Sequence, residues 1–246
     1  MNYNFLVLDI ETLNLDLGEG VNFGDPAGWQ ISTLCLTTSN NFSVIGLNEF
    51  VFVADDYWSF MPKKLQDDKR YFLLSEFENF MKWIVVPLKI PIVTHNGNNF
   101  DWPIVLKDWT DGGAIYTGDS NSVEIAERKN PPLITSYEYL VKNNLLFDTA
   151  EDLQNRYGKR FHLTDLVSAI HSTDNKSMKA SEAPIAWVNG EYQKVIDYCL
   201  QDCHLTAKLF QTPLDKISCP PSKSQEKVSI DTTPWRQWLV LNSLSA

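Results

Sequence analysis

The sequence predicts an α/β protein, and three observations carry that expectation. Apolar or β-branched runs bounded by turn residues recur near residues 4–10, 31–38, 43–53 and 92–94, as buried strands do. Between and after them, apolar residues return at helical spacing, as in Leu73, Phe77, Phe80, Met81 and Ile84, which marks amphipathic helices. The 246 residues are 43% hydrophobic and 12% aromatic, enough to bury one substantial core and too apolar for a disordered chain.

In chain order, the first three runs are strands, and Gly18–Gly28, with Asp25-Pro26, is the loop between the first two. That loop is longer than a tight hairpin and is expected at the rim of any site built on the strand ends. Residues 73–86 are the first major helix and Ile92–Thr94 the fourth strand. Gly112–Pro132 carries turn residues and charges without a period and reads as an exposed insertion. Leu145–Asp148 is the last strand, and Asp148 is expected to cap the next helix, which runs to about Tyr157. Leu163–His171 is a shorter helix, Ser172–Pro184 a polar loop, and Glu191–Phe210 a long helix packed through Ile196, Leu200, Cys203 and Ala207. The composition shifts after Phe210. The main domain is therefore expected over residues 1–212, with 213–246 a linker (Cys219–Lys227) and a tail whose Trp235–Leu244 run could dock on its own domain or on a partner.

Two carboxylates stand out in the first strand. Asp9 and Glu11 are two apart and so share one face. Like charges side by side at the edge of an apolar core are costly unless a cation neutralises them, and carboxylate oxygens suit hard ions such as Mg²⁺ or Mn²⁺. A strand end with two solvated acids is the alternative. Two later segments fit the same site. In Ile92–Val105 a short strand leaves the core through His95-Asn-Gly-Asn-Asn99, and Asp101 sits where a helix begins, with Pro103 just inside. In the long helix Tyr198 and Asp202 are four apart and lie over one another.

Together these residues resemble the DEDD (DnaQ-like) superfamily of 3′–5′ exonucleases, over roughly residues 3–210. The first motif of that family is matched by Asp9, Glu11 and Thr12, the second by Asn96, Phe100 and Asp101, and the third by Tyr198 and Asp202. Tyr198, with Asp197 where another subfamily has histidine, marks the tyrosine type (DEDDy). His204 is not in the catalytic position and reads as a helix-surface residue. Weaker blocks at Phe147-Asp148, His162–Leu166, Ala183–Trp187 and Val195–Tyr198 are similar to bacterial exonuclease domains, some of them attached to helicases.

The resemblance implies a ribonuclease H-like fold with a mixed sheet flanked by helices, and two divalent ions, Mg²⁺ or Mn²⁺. Asp9 would bridge both ions, Glu11 and Asp202 would complete the water-activating site, and Asp101 would hold the second ion through its waters. Two such ions supply nucleophile activation and charge neutralisation in phosphodiester hydrolysis. Tyr198, with an ordinary pKa near ~10, would orient water rather than act as a base. His95, Asn96, Asn98 and Asn99 could donate to phosphate or sugar and Trp102 could stack on a base, or the loop could simply turn and Trp102 pack. By the resemblance, Leu13 would wedge against the terminal base and Thr12 would reach the 3′ end.

The net charge of −10 opposes long-range attraction of a polyanion, which favours short ends, small substrates or delivery by a helicase or repair partner. The basic pairs Lys63-Lys64, Lys69-Arg70, Arg128-Lys129 and Lys159-Arg160 could line a strand path. The four cysteines have no metal-binding spacing, no signal peptide is visible, and the most apolar stretch, Ile84–Val93, is broken by Pro87, Lys89 and Pro91. A cytoplasmic protein without a membrane partner is expected. The resulting expectation is an exonuclease on single-stranded 3′ ends, DNA slightly ahead of RNA. The alternatives are an exoribonuclease on RNA or short oligonucleotides and a non-catalytic nucleic-acid-binding or docking module.

Overall fold

The computed structural model describes residues 4–14, 29–39, 43–110, 132–170 and 177–243. The loop expected at Gly18–Gly28, nearly all of the Gly112–Pro132 insertion, the Arg128-Lys129 pair and part of the Ser172–Pro184 loop lie outside these residues. The strands are β1 (Leu6–Thr12), β2 (Ile31–Thr38), β3 (Glu49–Val53), β4 (Tyr71–Leu73), β5 (Ile92–Thr94), β6 (Leu146–Asp148), β7 (Lys216–Cys219) and β8 (Val228–Asp231). The helices are α1 (Asp55–Trp58), α2 (Lys63–Gln66), α3 (Phe77–Phe80), α4 (Asp101–Thr110), α5 (Pro132–Lys142), α6 (Thr149–Tyr157), α7 (Leu163–Ser168), α8 (Ala183–Val188), α9 (Tyr192–Phe210) and α10 (Thr233–Ser243).

Six strands form one mixed sheet in the order β4-β3-β2-β1-β5-β6. The β1–β2 and β2–β3 pairs are antiparallel, whereas β3–β4, β1–β5 and β5–β6 are parallel. The two-residue period of a strand sorts the apolar side chains into two cores. Phe5, Val7, Cys35, Val51 and Val53 face one side with α9, α7, α8 and the C-terminal segment. Leu6, Leu8, Ile10, Leu34, Leu36, Phe50 and Phe52 face the other, with α3, α4 and α5. Both faces are covered, which is why β1 reads as a continuous apolar run rather than an alternating one. No helix among the described residues is long and apolar enough to cross a membrane.

Three local differences from the expected elements have physical causes. Residues 44–47 are a tight turn with Ile45 and Gly46 at positive φ, so β3 begins at Glu49 rather than at 43. Tyr71–Leu73 pairs beside β3 and removes Leu73 from the expected 73–86 helix. A 3₁₀ turn (Leu74–Glu76), α3 and a π-helical turn (Met81–Val85) then lead to Pro87. Phe77, Phe80 and Met81 are buried as expected, whereas Val85 takes the buried place expected of Ile84, which is partly buried, as the wider π-helical turn requires.

The chain beyond Phe210 docks on its own domain. Residues 220–227, within the expected linker, connect the β7–β8 hairpin. Trp235 stacks 6.0 Å from Phe210, and Trp238 lies 5.1 Å from Phe147. The Trp235 indole N–H donates to Asp152 at 2.7 Å, and Arg156, paired with Asp152, donates to the Asp231 carbonyl. Large aromatic surfaces with a satisfied polar handle account for this docking.

Candidate metal centre

The alternation that builds β1 also builds the site. With Phe5 and Val7 in the α9-side core, Asp9 and Glu11 are carried by the same period onto that face. The pairing slips between Glu11 and Thr12, where Glu11 opposes Thr33 and Thr12 opposes Ile31. Such an irregularity re-aims a strand end. Its backbone is held: the Ser32 hydroxyl donates to the Glu11 carbonyl at 3.0 Å, and the Cys199 thiol to the Asp9 carbonyl at 3.4 Å.

Helix α9 crosses beneath this strand end and brings Tyr198 and Asp202 one turn apart. Carboxylate oxygens of Asp9, Glu11 and Asp202 lie within 4.8 Å of one another. Glu11 and Asp202 are buried and Asp9 is partly exposed. Asp9 Oδ2 and Asp202 Oδ1 are buried and accept no hydrogen bond, while both residues interact with neighbours through other groups. Three close carboxylates in a poorly solvated place repel one another. An all-oxygen donor set of this charge could hold a hard divalent cation. Tyr198 is buried; burial first, then the charges of Asp202, Glu11 and Asp9, push its hydroxyl well above the usual phenol range. It therefore keeps its proton at neutral pH and remains a donor.

Asp101 begins α4 as expected, but its carboxylate is turned to the β1 backbone and accepts the Ile10 N–H at 3.1 Å. It is buried and borders the three-carboxylate group without belonging to it. Burial, with a smaller contribution from the negative charges of Asp148 and Asp202, raises its pKa to about 7.

Asp148 does more than the expected capping. It does cap α6, accepting from the N–H groups of Ala150 and Glu151 at 2.9 Å. It also accepts the N–H of Asn96 at 3.0 Å, the N–H of Asn98 at 2.8 Å and the Thr94 hydroxyl at 3.2 Å. Five donors thus converge on one buried carboxylate, which ties the 95–101 loop to the end of β5 and the start of α6. Asn96 has φ 73°, a left-handed value that asparagine tolerates. Gly97 crosses Thr94 so closely that an added Cβ would lie 2.5 Å from the threonine side chain.

The expected substrate contacts divide. His95 and Asn96 line a cleft of about 980 Å³ with Asn99, Asp9, Tyr198 and Asp202, and His95 Nδ1 lies 2.8 Å from the Thr149 hydroxyl. Thr12 is buried, its hydroxyl donating to the Asn14 carbonyl at 3.2 Å, and Leu13 packs at the margin of the core. Phe100 packs edge-on against Trp29 at 5.4 Å. Trp102 is a correction: only 1% exposed, it packs against Tyr137 at 5.1 Å and presents no face to a base. A first-turn aromatic on the sheet side of α4 is taken by the core.

Among the basic pairs, Lys63 is bound to Asp67 and Arg70 to Glu49 and Asp68, whereas Arg160 lines the cleft. His204 is an exposed residue of α9, 3.0 Å from Glu49, and the four cysteines are free and buried. Lys179, also in the cleft, carries no sequence signal because it sits in a polar stretch without a motif. Neither a protein-family model nor a curated protein matches this chain.

Proposed function

We propose that the protein is a divalent-metal-dependent 3′–5′ exonuclease of the ribonuclease H-like, tyrosine type, acting on single-stranded nucleic-acid ends with DNA slightly favoured over RNA. The observation that carries this reading is the meeting of Asp9 and Glu11 from β1 with Asp202 from α9 inside 4.8 Å, with Tyr198 one turn away on the same helix. The antiparallel β1–β3 run followed by parallel β5 and β6 supports the ribonuclease H-like assignment.

Asp9, Glu11 and Asp202 would hold one ion, and Asp101 beside them would help to hold a second. Divalent ions there supply water activation and neutralise charge on the reacting phosphate. The residues of the chain do the rest. Tyr198, kept protonated by its surroundings, orients the attacking water by hydrogen bonding. Asp148 holds the 95–101 loop in place through the bonds it accepts from the Asn96 and Asn98 N–H groups, so that His95 and Asn96 stay at the cleft wall. A duplex end must fray before its terminal nucleotide enters such a site, which costs unpairing energy and favours single strands.

The test uses matched 5′-labelled single-stranded DNA and RNA oligonucleotides with Mg²⁺, Mn²⁺ or EDTA, beside Asp202→Ala. A metal-dependent ladder shortening from the 3′ end, at least ~1000-fold weaker in the variant, is expected, and the two sugars are ranked in the same gel. No cleavage with either metal, or undiminished cleavage by Asp202→Ala, overturns the proposal.

A further inference from the structure

The cleft that holds the carboxylates has a wider lining than these groups. Its wall includes Arg160, Lys179 and Ser222 as well as Asp9, Tyr198 and Asp202. Its volume of about 980 Å³ is at the top of the range for small-ligand pockets. A single nucleotide belongs near the bottom of that range, ~300 Å³, so there is room for roughly three. Arg160 and Lys179 are exposed, and neither forms an ion pair among the described residues. Glu182, which also lines the cleft, has its carboxylate on the Lys179 backbone N–H. Arg160 is anchored from the C-terminal hairpin: the Ser222 N–H donates to the Arg160 carbonyl at 2.8 Å.

We propose that this cleft seats the nucleotides leading to the scissile phosphate, with Arg160 and Lys179 on their backbone phosphates and the β7–β8 hairpin as the outer wall. The inference rests on the nuclease reading and gives the substrate a minimum form, a single-stranded end a few nucleotides long. A chain of net charge −10 repels polyanions at long range. Two cations in the wall of the same cleft supply local attraction along the strand. Arginine offers a planar fork matched to phosphate and lysine a point charge, so the contacts are to backbone and carry no base preference. The hairpin then belongs to the substrate site, through the Ser222–Arg160 bond, rather than to a partner-binding tail.

The test is fluorescence anisotropy of a 5′-labelled octathymidylate on the full chain with Ca²⁺ as the only divalent ion, across a salt series. Arg160→Gln/Lys179→Gln is compared with wild type, with Arg160→Lys/Lys179→Arg, and with Lys82→Gln on the opposite helical layer. The double glutamine variant is expected to bind at least about tenfold more weakly. Its slope of log affinity against log salt should fall by about 1.4, since each single-strand phosphate contact contributes about 0.7. The charge-preserving variant should keep the slope, and Lys82→Gln should match wild type. Affinity and slope unchanged in the double variant, while wild type trims the same oligonucleotide with Mg²⁺ or Mn²⁺, overturn this strand path alone. A wild-type protein that neither binds nor trims it overturns the nuclease reading as well.

Discussion

Asp9 and Asp148 look alike in the sequence, each an aspartate at the end of an apolar strand, and they do opposite work. Asp148 accepts five hydrogen bonds, four from backbone N–H groups of the 95–101 loop and of α6 and one from the Thr94 hydroxyl. Its charge is spent on organising the protein. Asp9 stands with Glu11 and Asp202 within 4.8 Å, where like charges crowd together. Surplus donors around a carboxylate mark a structural acid, whereas surplus carboxylates mark a place for something the chain does not itself supply. Burial is not the marker, since Glu11 and Asp202 in the crowded group are as buried as Asp148, although Asp9 is partly exposed.

The contrast can be broken most forcefully at the structural acid. Asp148→Ala strands the buried Thr94 hydroxyl and the partly buried N–H groups of Asn96 and Asn98 and removes the cap of α6, and should cost about 3–5 kcal/mol in urea unfolding. A loss below about 1 kcal/mol would show that the five bonds are replaceable by water.

A smaller effect comes from Asp101, which borders both groups. Its folded pKa of about 7 exceeds the ordinary 3.8. Between those values the folded state holds a proton that the unfolded chain has released. Stability of the metal-free protein therefore falls as pH rises from about 4 to 7 and levels off above, by on the order of 4 kcal/mol. Asp101→Asn keeps an acceptor for Ile10 N–H and should flatten that slope, raising the melting temperature at pH 8 with little change at pH 4. A variant whose stability keeps the wild-type pH dependence would assign the slope to other acids.

The smallest change tests how tightly the loop held by Asp148 is built. Gly97→Ala drives a methyl group into Thr94 and should cost about 1–3 kcal/mol. Gly97→Ala/Thr94→Ser should recover part of it by removing the Thr94 methyl group from the contact. No recovery would assign the strain to the Thr94 Cβ and hydroxyl, which serine keeps 2.5 and 2.6 Å from the added carbon.

Much of this was legible in the sequence wherever one local rule governed. The strand period set Asp9 and Glu11 on one face, the helical period set Tyr198 over Asp202, and the Asp148 cap came from its place before a helix. Long-range facts were not legible. Whether Trp102 faces a base or the core depends on α5, whose Tyr137 covers it. Asp148 carries two backbone bonds to a loop some fifty residues away, which no local pattern announces. The segment after Phe210 looked like a linker because Cys219-Pro-Pro-Ser-Lys-Ser is polar and turn-rich; those residues end one strand of a hairpin and turn toward the next. The π-helical turn at Met81–Val85 buries Val85 where α-helical spacing predicts Ile84, a one-residue shift that no local pattern announces.

The central claim is that Asp9, Glu11 and Asp202 form a cation site, and calorimetric titration of metal-free protein with Mn²⁺ addresses it without assuming any substrate. Wild type should show saturable binding, Asp202→Ala should weaken it at least about tenfold while melting no lower than wild type, and Gly97→Ala should bind as wild type does. Absence of saturable binding in wild type, or equal binding by Asp202→Ala, would contradict the account.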